Sequence, residues 1–105
     1  MTLNDVVFSR KLVRRIARDV ITNDSHAKRA YDSLRERKLS HVDAIDEISR
    51  ALLGFLWEAL GEKLPTPDSF NANAVKEWMG KDEPRWNEIM RLISEGKKTT
   101  EIWPE

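Results

Sequence analysis

Between Ser40 and Gly61 the apolar residues Ala44, Ile45, Ile48, Leu52, Phe55, Leu56, Ala59 and Leu60 recur at helical spacing. Leu53 and Trp57 add a second stripe beside the first, so a helix here is apolar over more than half of its circumference. Such a helix belongs in the middle of the molecule. The expected fold is therefore all-α, a small up-and-down or irregular bundle of four to five helices with a long central third helix.

The remaining helices are marked by their ends. Thr2, with Asp5 three residues on, can cap a first helix running from about Leu3 to Ile21, whose apolar stripe holds Val6, Val7, Val13, Ile16, Ala17, Val20 and Ile21. The cluster Thr22-Asn23-Asp24-Ser25 supplies a turn and the next N-cap, followed by Ala27, Ala30, Tyr31 and Leu34 at i, i+3, i+4 and i+7. Ser40 caps the third helix and Gly61 ends it. Leu64-Pro65-Thr66-Pro67-Asp68 is an extended connector carrying the start of a fourth helix, with Thr66 as its cap. Phe70, Ala74 and Trp78 share the face of that helix up to Gly80. Asp82, Glu83 and Pro84 open a fifth helix with Trp86, Ile89, Met90 and Ile93 on its apolar face, closed by Gly96. Residues 1–96 thus read as a single helical domain, and 97–105 as an irregular tail.

At 105 residues, with 40% apolar and 34% charged side chains, the chain can bury a modest core without staples. Cysteine is absent, which excludes a disulfide scaffold, a thiol nucleophile and a thiolate metal cage. The residues after Met1 do not resemble a signal peptide, and the longest nearly uncharged run, residues 51–57, is too short to cross a bilayer. Cytoplasmic residence is the expected default. Net charge is zero but uneven: up to Lys38 there are ten basic and five acidic residues, and beyond it eight basic and thirteen acidic. The halves are expected to attract each other, within one chain or between two copies.

Few residues are spaced for chemistry. A zinc or iron site needs three or four converging ligands, usually two of them a helical turn apart. His41 is followed at those positions by Ala44 and Ile45, and His26 by Arg29 and Ala30. His41 therefore reads as a helix-start or packed, hydrogen-bonded residue, and His26 as surface. Asp43 and Glu47 form an acidic pair at i, i+4, while Asp46 and Arg50 read as a helix-surface ion pair. No glycine-rich phosphate loop is present; the four glycines read as helix ends and one packing position. No catalytic residue, metal or cofactor is expected.

Two features point to binding instead. Arg10, Arg14 and Arg18, with Lys11 and Arg15, could follow a phosphate backbone, or simply form the solvated side of an amphipathic helix. Trp57, Trp78 and Trp86 read as packing between the third helix and the C-terminal ones. Ile102 and Trp103 lie outside any expected helix, so they either fold back or anchor a contact with another subunit.

Tyr31, Leu34, Asp43, Ala44, Ile45, Ile48, Arg50, Leu52, Leu56, Trp57 and the Pro65-Thr66-Pro67-Asp68 segment together resemble an uncharacterised bacterial helical family of the DUF1841 type, over roughly residues 12–70. The resemblance implies no activity, although members tend to place histidines and glutamates one helical turn apart. In the register set by Trp57, their two third-helix histidine positions fall on Val42 and Asp46 and a glutamate position on Gly54. The first-helix positions fall on Val13 and Ala17. This chain lacks that ligand set. The function expected is a small non-catalytic interaction or accessory module, with a homodimer or another protein as partner. The alternatives are a nucleic-acid binder using Arg10, Arg14 and Arg18, and a residual metal-dependent helical enzyme around His41, Asp43 and Glu47.

Overall fold

The computed structural model describes residues 10–60 and 71–104, and among them the chain forms six helices and no strand. They are α1 (Arg10–Asn23), α2 (Ser25–Glu36), α3 (His41–Leu60), α4 (Ala72–Lys81), α5 (Glu83–Ser94) and the single turn α6 (Thr99–Ile102). The all-α bundle with a long third helix is as expected. Thr2, Asp5, Gly61, the connector with its Thr66 cap, and Phe70 lie outside the described residues.

Each described boundary has a local cause. A single residue, Asp24, separates α1 from α2: its Oδ2 accepts the Ala27 N–H at 2.9 Å, and also the indole N–H of Trp86 on α5 at 3.0 Å. α2 ends in a Schellman motif, in which the Leu39 N–H reaches the Leu34 carbonyl and the Lys38 N–H the Arg35 carbonyl. Lys38 takes the left-handed conformation there, at φ 68°. Ser40 caps α3 as expected, its Oγ accepting the Asp43 N–H at 3.1 Å. Asn71 caps α4 through the Ala74 N–H, and Pro84 stands in the first turn of α5. α5 closes on Gly96 at φ 109°, with the Lys97 N–H on the Leu92 carbonyl and the Gly96 N–H on the Ile93 carbonyl.

α3 is the axis, in contact with α1, α2, α5 and α6. It buries Ala44, Ile45, Ile48, Ala51, Leu52, Phe55 and Leu56, against Val13, Ile16 and Ala17 of α1 and Trp86, Ile89, Met90 and Ile93 of α5 in one core. The Phe55 and Trp86 rings meet edge to face at 5.4 Å between centroids. α2 buries Ala27, Ala30 and Leu34 and packs Tyr31 against the core, and its most extensive contact is with α5. Ser33 and Arg37 fasten that pair: Ser33 Oγ donates to the Ser94 carbonyl at 2.8 Å, and the Arg37 guanidinium donates to the Ile93 and Ser94 carbonyls at the end of α5.

Three expectations are corrected. Ala59, placed in the apolar stripe, is exposed, because the covered face of α3 rotates away from it in the last turn. Trp86 and Trp78 pack in and against the core as expected, whereas Trp57 is half-buried and is not among the described residues packed against that cluster. The tail is not irregular throughout, since residues 99–102 form α6 and lie against α3. A helix this short carries too little periodicity to be seen in sequence.

Candidate functional site

The basic row of α1 is divided by its neighbours. Arg14 turns inward to α3 and makes a bidentate pair with Asp46, Nε to Oδ1 at 2.6 Å and Nη2 to Oδ2 at 3.0 Å. That hydrogen bonding, with the adjacent negative charge, raises the Arg14 pKa further above its ordinary value. Lys11, Arg15 and Arg18 are exposed, and their i, i+4, i+7 spacing puts them on one outer face. Arg10 is the first described residue of α1, and its side chain is not among those described. Asp46 was expected to pair with Arg50. It takes Arg14 from another helix, while Arg50 stands 3.7 Å from Glu47.

The residues that could have formed a metal or acid/base centre do not converge. His41 Nδ1 is 2.7 Å from the Tyr31 hydroxyl at the exposed start of α3. Glu47 Oε1 accepts the backbone N–H of Thr99 at 2.7 Å. Asp43 lies in the exposed first turn of α3. Among the described residues no three histidines, aspartates or glutamates gather where a metal ion would sit. Of the positions aligned with the family's ligands, Val13 and Ala17 are core residues, Gly54 is buried, and Val42 is exposed. His26 is half-buried in a shallow groove between α2 and α5.

The most constructed polar arrangement was not anticipated from spacing. Glu58 on α3 receives Arg85 of α5 on both oxygens, Nε to Oε2 and Nη2 to Oε1, each at 2.7 Å. Arg85 also donates to Glu88 at 2.9 Å. The same Glu58 Oε1 accepts the indole N–H of Trp103 at 2.9 Å. Arg85's hydrogen bonds hold the Glu58 carboxyl below its ordinary range; partial burial opposes this, and the Trp103 N–H adds to it. Reciprocally, Glu58 raises Arg85. Trp103 and Ile102 are both half-buried, so the C-terminal segment folds back on its own chain. Its signal in the sequence was Gly54, the one glycine read as a packing position.

A cleft of about 550 Å³ lies between the end of α1 and helices α4 and α5, lined by Asp19, Asp24, Lys76, Met79, Glu83 and Trp86 among others. Its carboxylates outnumber its one lysine. No described helix is long and apolar enough to cross a membrane. Comparison with protein-family models, with curated proteins and with solved structures returns no match to this chain.

Proposed function

We propose that this chain is a small non-catalytic interaction or accessory module of the cytoplasm that works through contacts with another protein or a second copy of itself. The observation that supports this reading is the use made of the polar side chains. Asp46 is held by Arg14, Glu47 by the Thr99 amide, Glu58 by Arg85 and Trp103, and His41 lies beside Tyr31. Each is engaged in joining one helix to another. What faces outward beside His41 is Val42, half exposed at 50%. The likeness to the DUF1841-type family fits this reading and brings no activity with it. Light scattering after size exclusion, at low and high protein concentration, tests self-association: mass should rise with concentration. A chain that stays monomeric throughout removes the homodimer from the proposal.

A second reading is favoured by Lys11, Arg15 and Arg18, which stand exposed in a row on α1. On that reading the chain binds the phosphate backbone of a nucleic acid, with affinity falling steeply as salt rises. Fluorescence anisotropy with a generic RNA at low salt, comparing the unaltered chain with Arg15→Glu/Arg18→Glu, decides it; absence of binding by the unaltered chain eliminates this reading.

A further inference from the structure

Three positions on one face of α3 grip the C-terminal strap. Glu47 accepts the Thr99 amide, Gly54 lies under the Trp103 ring, and Glu58 accepts the indole N–H. Their spacing of seven and four residues keeps them in line along the helix. A Cβ on residue 54 would stand 2.6–2.7 Å from the Cδ2, Cε2 and Cζ2 atoms of the indole, where non-bonded carbons need about 3.5–4.0 Å. The slot therefore exists only because residue 54 has no side chain. Its acceptor is fixed in advance, since Arg85 grips both oxygens of Glu58 and is itself held by Glu88. Together these make a recognition site for one backbone amide, one indole face and one indole N–H.

The strap is also built to leave. α5 completes its own C-terminus through the Gly96 and Lys97 amides, so it needs nothing from the residues beyond. Glu95, Gly96, Lys97 and Lys98 are all exposed. Within the docked strap Thr99 is buried at 1% exposure, and its hydroxyl has no hydrogen-bond partner among the described residues. An unpartnered buried hydroxyl weakens the docked form.

We propose that the Gly54–Glu58 slot is a peptide-docking site, filled in cis by the Thr-Thr-Glu-Ile-Trp segment of residues 99–103 and open to the same segment of a second copy when the strap lifts. The occupant follows from the strap itself, whose fit to the slot is complete in its own chain. Exchange between copies recreates each contact in trans, opposed mainly by the tether, which keeps the cis segment at an effective concentration on the order of mM. This inference rests on the interaction-module reading for its choice of a second copy, but its test reads the slot directly.

Trp103→Ala in the full chain vacates the slot, and a fluorescein-labelled peptide with the sequence of residues 97–105 then reports it by anisotropy. The expected result is binding at least about tenfold tighter to Trp103→Ala than to the unaltered chain, where the tethered strap competes. Replacing the peptide's tryptophan with alanine should abolish binding, as should adding Gly54→Ala to the Trp103→Ala chain. No binding by a Trp103→Ala chain that circular dichroism shows to be folded overturns the proposal, as does equal binding by the Gly54→Ala/Trp103→Ala chain. Should Trp103→Ala fail to fold, excess unlabelled peptide is titrated onto the ¹⁵N-labelled unaltered chain. Movement of the Trp103 indole N–H resonance toward its free position supports the slot, and an unmoved resonance overturns it. Peptide binding by a chain that light scattering finds monomeric would remove the homodimer while keeping the slot.

Discussion

Asp46 and Glu58 both lie on α3, and each receives an arginine from another helix in bidentate geometry, Arg14 from α1 and Arg85 from α5. Around the first pair the helices meet through buried Val13, Ile16 and Ala17 on one side and Ala44, Ile45 and Ile48 on the other. Around the second, beside the α5 contact, the covering element is a strap whose apolar residues Ile102 and Trp103 are half-buried and whose one fully buried residue is the polar Thr99. Partly exposed ion pairs contribute little by themselves. What separates the two regions is what lies over each pair: both cross a packed seam, the second beside the buried Phe55–Trp86 contact of α3 and α5, but only the second also holds the strap that we propose can lift.

The widest test of that contrast sets a core residue against a strap residue. Phe55→Ala removes a ring that is fully buried against Trp86 and should cost about 3–5 kcal/mol in urea unfolding. Trp103→Ala should cost about 1–2 kcal/mol, since the indole is only half-buried. Equal losses would make the strap part of the core and end the distinction.

A sharper probe changes sign. In the unaltered chain Gly54→Ala drives a methyl into the Trp103 ring and should destabilise by about 1–3 kcal/mol, as overpacking does. In the Trp103→Ala chain the three atoms nearest to the added methyl are gone, and the same substitution should stabilise by about 0.5–1 kcal/mol, because alanine favours the helix interior over glycine. Two changes of the same sign would mean that the indole does not lie over residue 54. The smallest effect concerns Thr99→Val, which keeps the branched shape and removes the unpartnered hydroxyl. It should stabilise by about 1 kcal/mol and slow exchange of the residue 99 amide held by Glu47. A loss of stability would show that the hydroxyl is satisfied in solution.

Local rules made the helices readable. Ser40, Pro84 and Gly96 act within a few residues of themselves, and each stands where the sequence put it. The core face of α3 followed from period alone. The partners of charged residues did not, because Asp46 finds Arg14 thirty-two positions away and Glu47 finds Thr99 fifty-two away. Nothing in spacing along one helix distinguishes those from the i, i+4 partner that Asp46 was expected to take. The expected attraction between the basic and acidic halves is seen in Arg14 with Asp46, whereas Arg50–Glu47, Arg85–Glu58 and Arg91–Glu95 pair within the acidic half. The strap site was half legible. Gly54 announced a close approach and Trp103 an aromatic needing cover, but only the fold brings them together with Glu58.

Asp24 links the beginning of the bundle to its end. One oxygen of its carboxylate caps α2 and receives the Trp86 indole of α5, sixty-two residues further on. Fraying of the first turn of α2 therefore loosens a tryptophan in the centre of the core, and withdrawal of α5 strips a donor from the cap. Opening at either end is felt at the other, which favours cooperative, all-or-none melting of the helices between them, whereas the strap beyond Gly96 takes no part in that link.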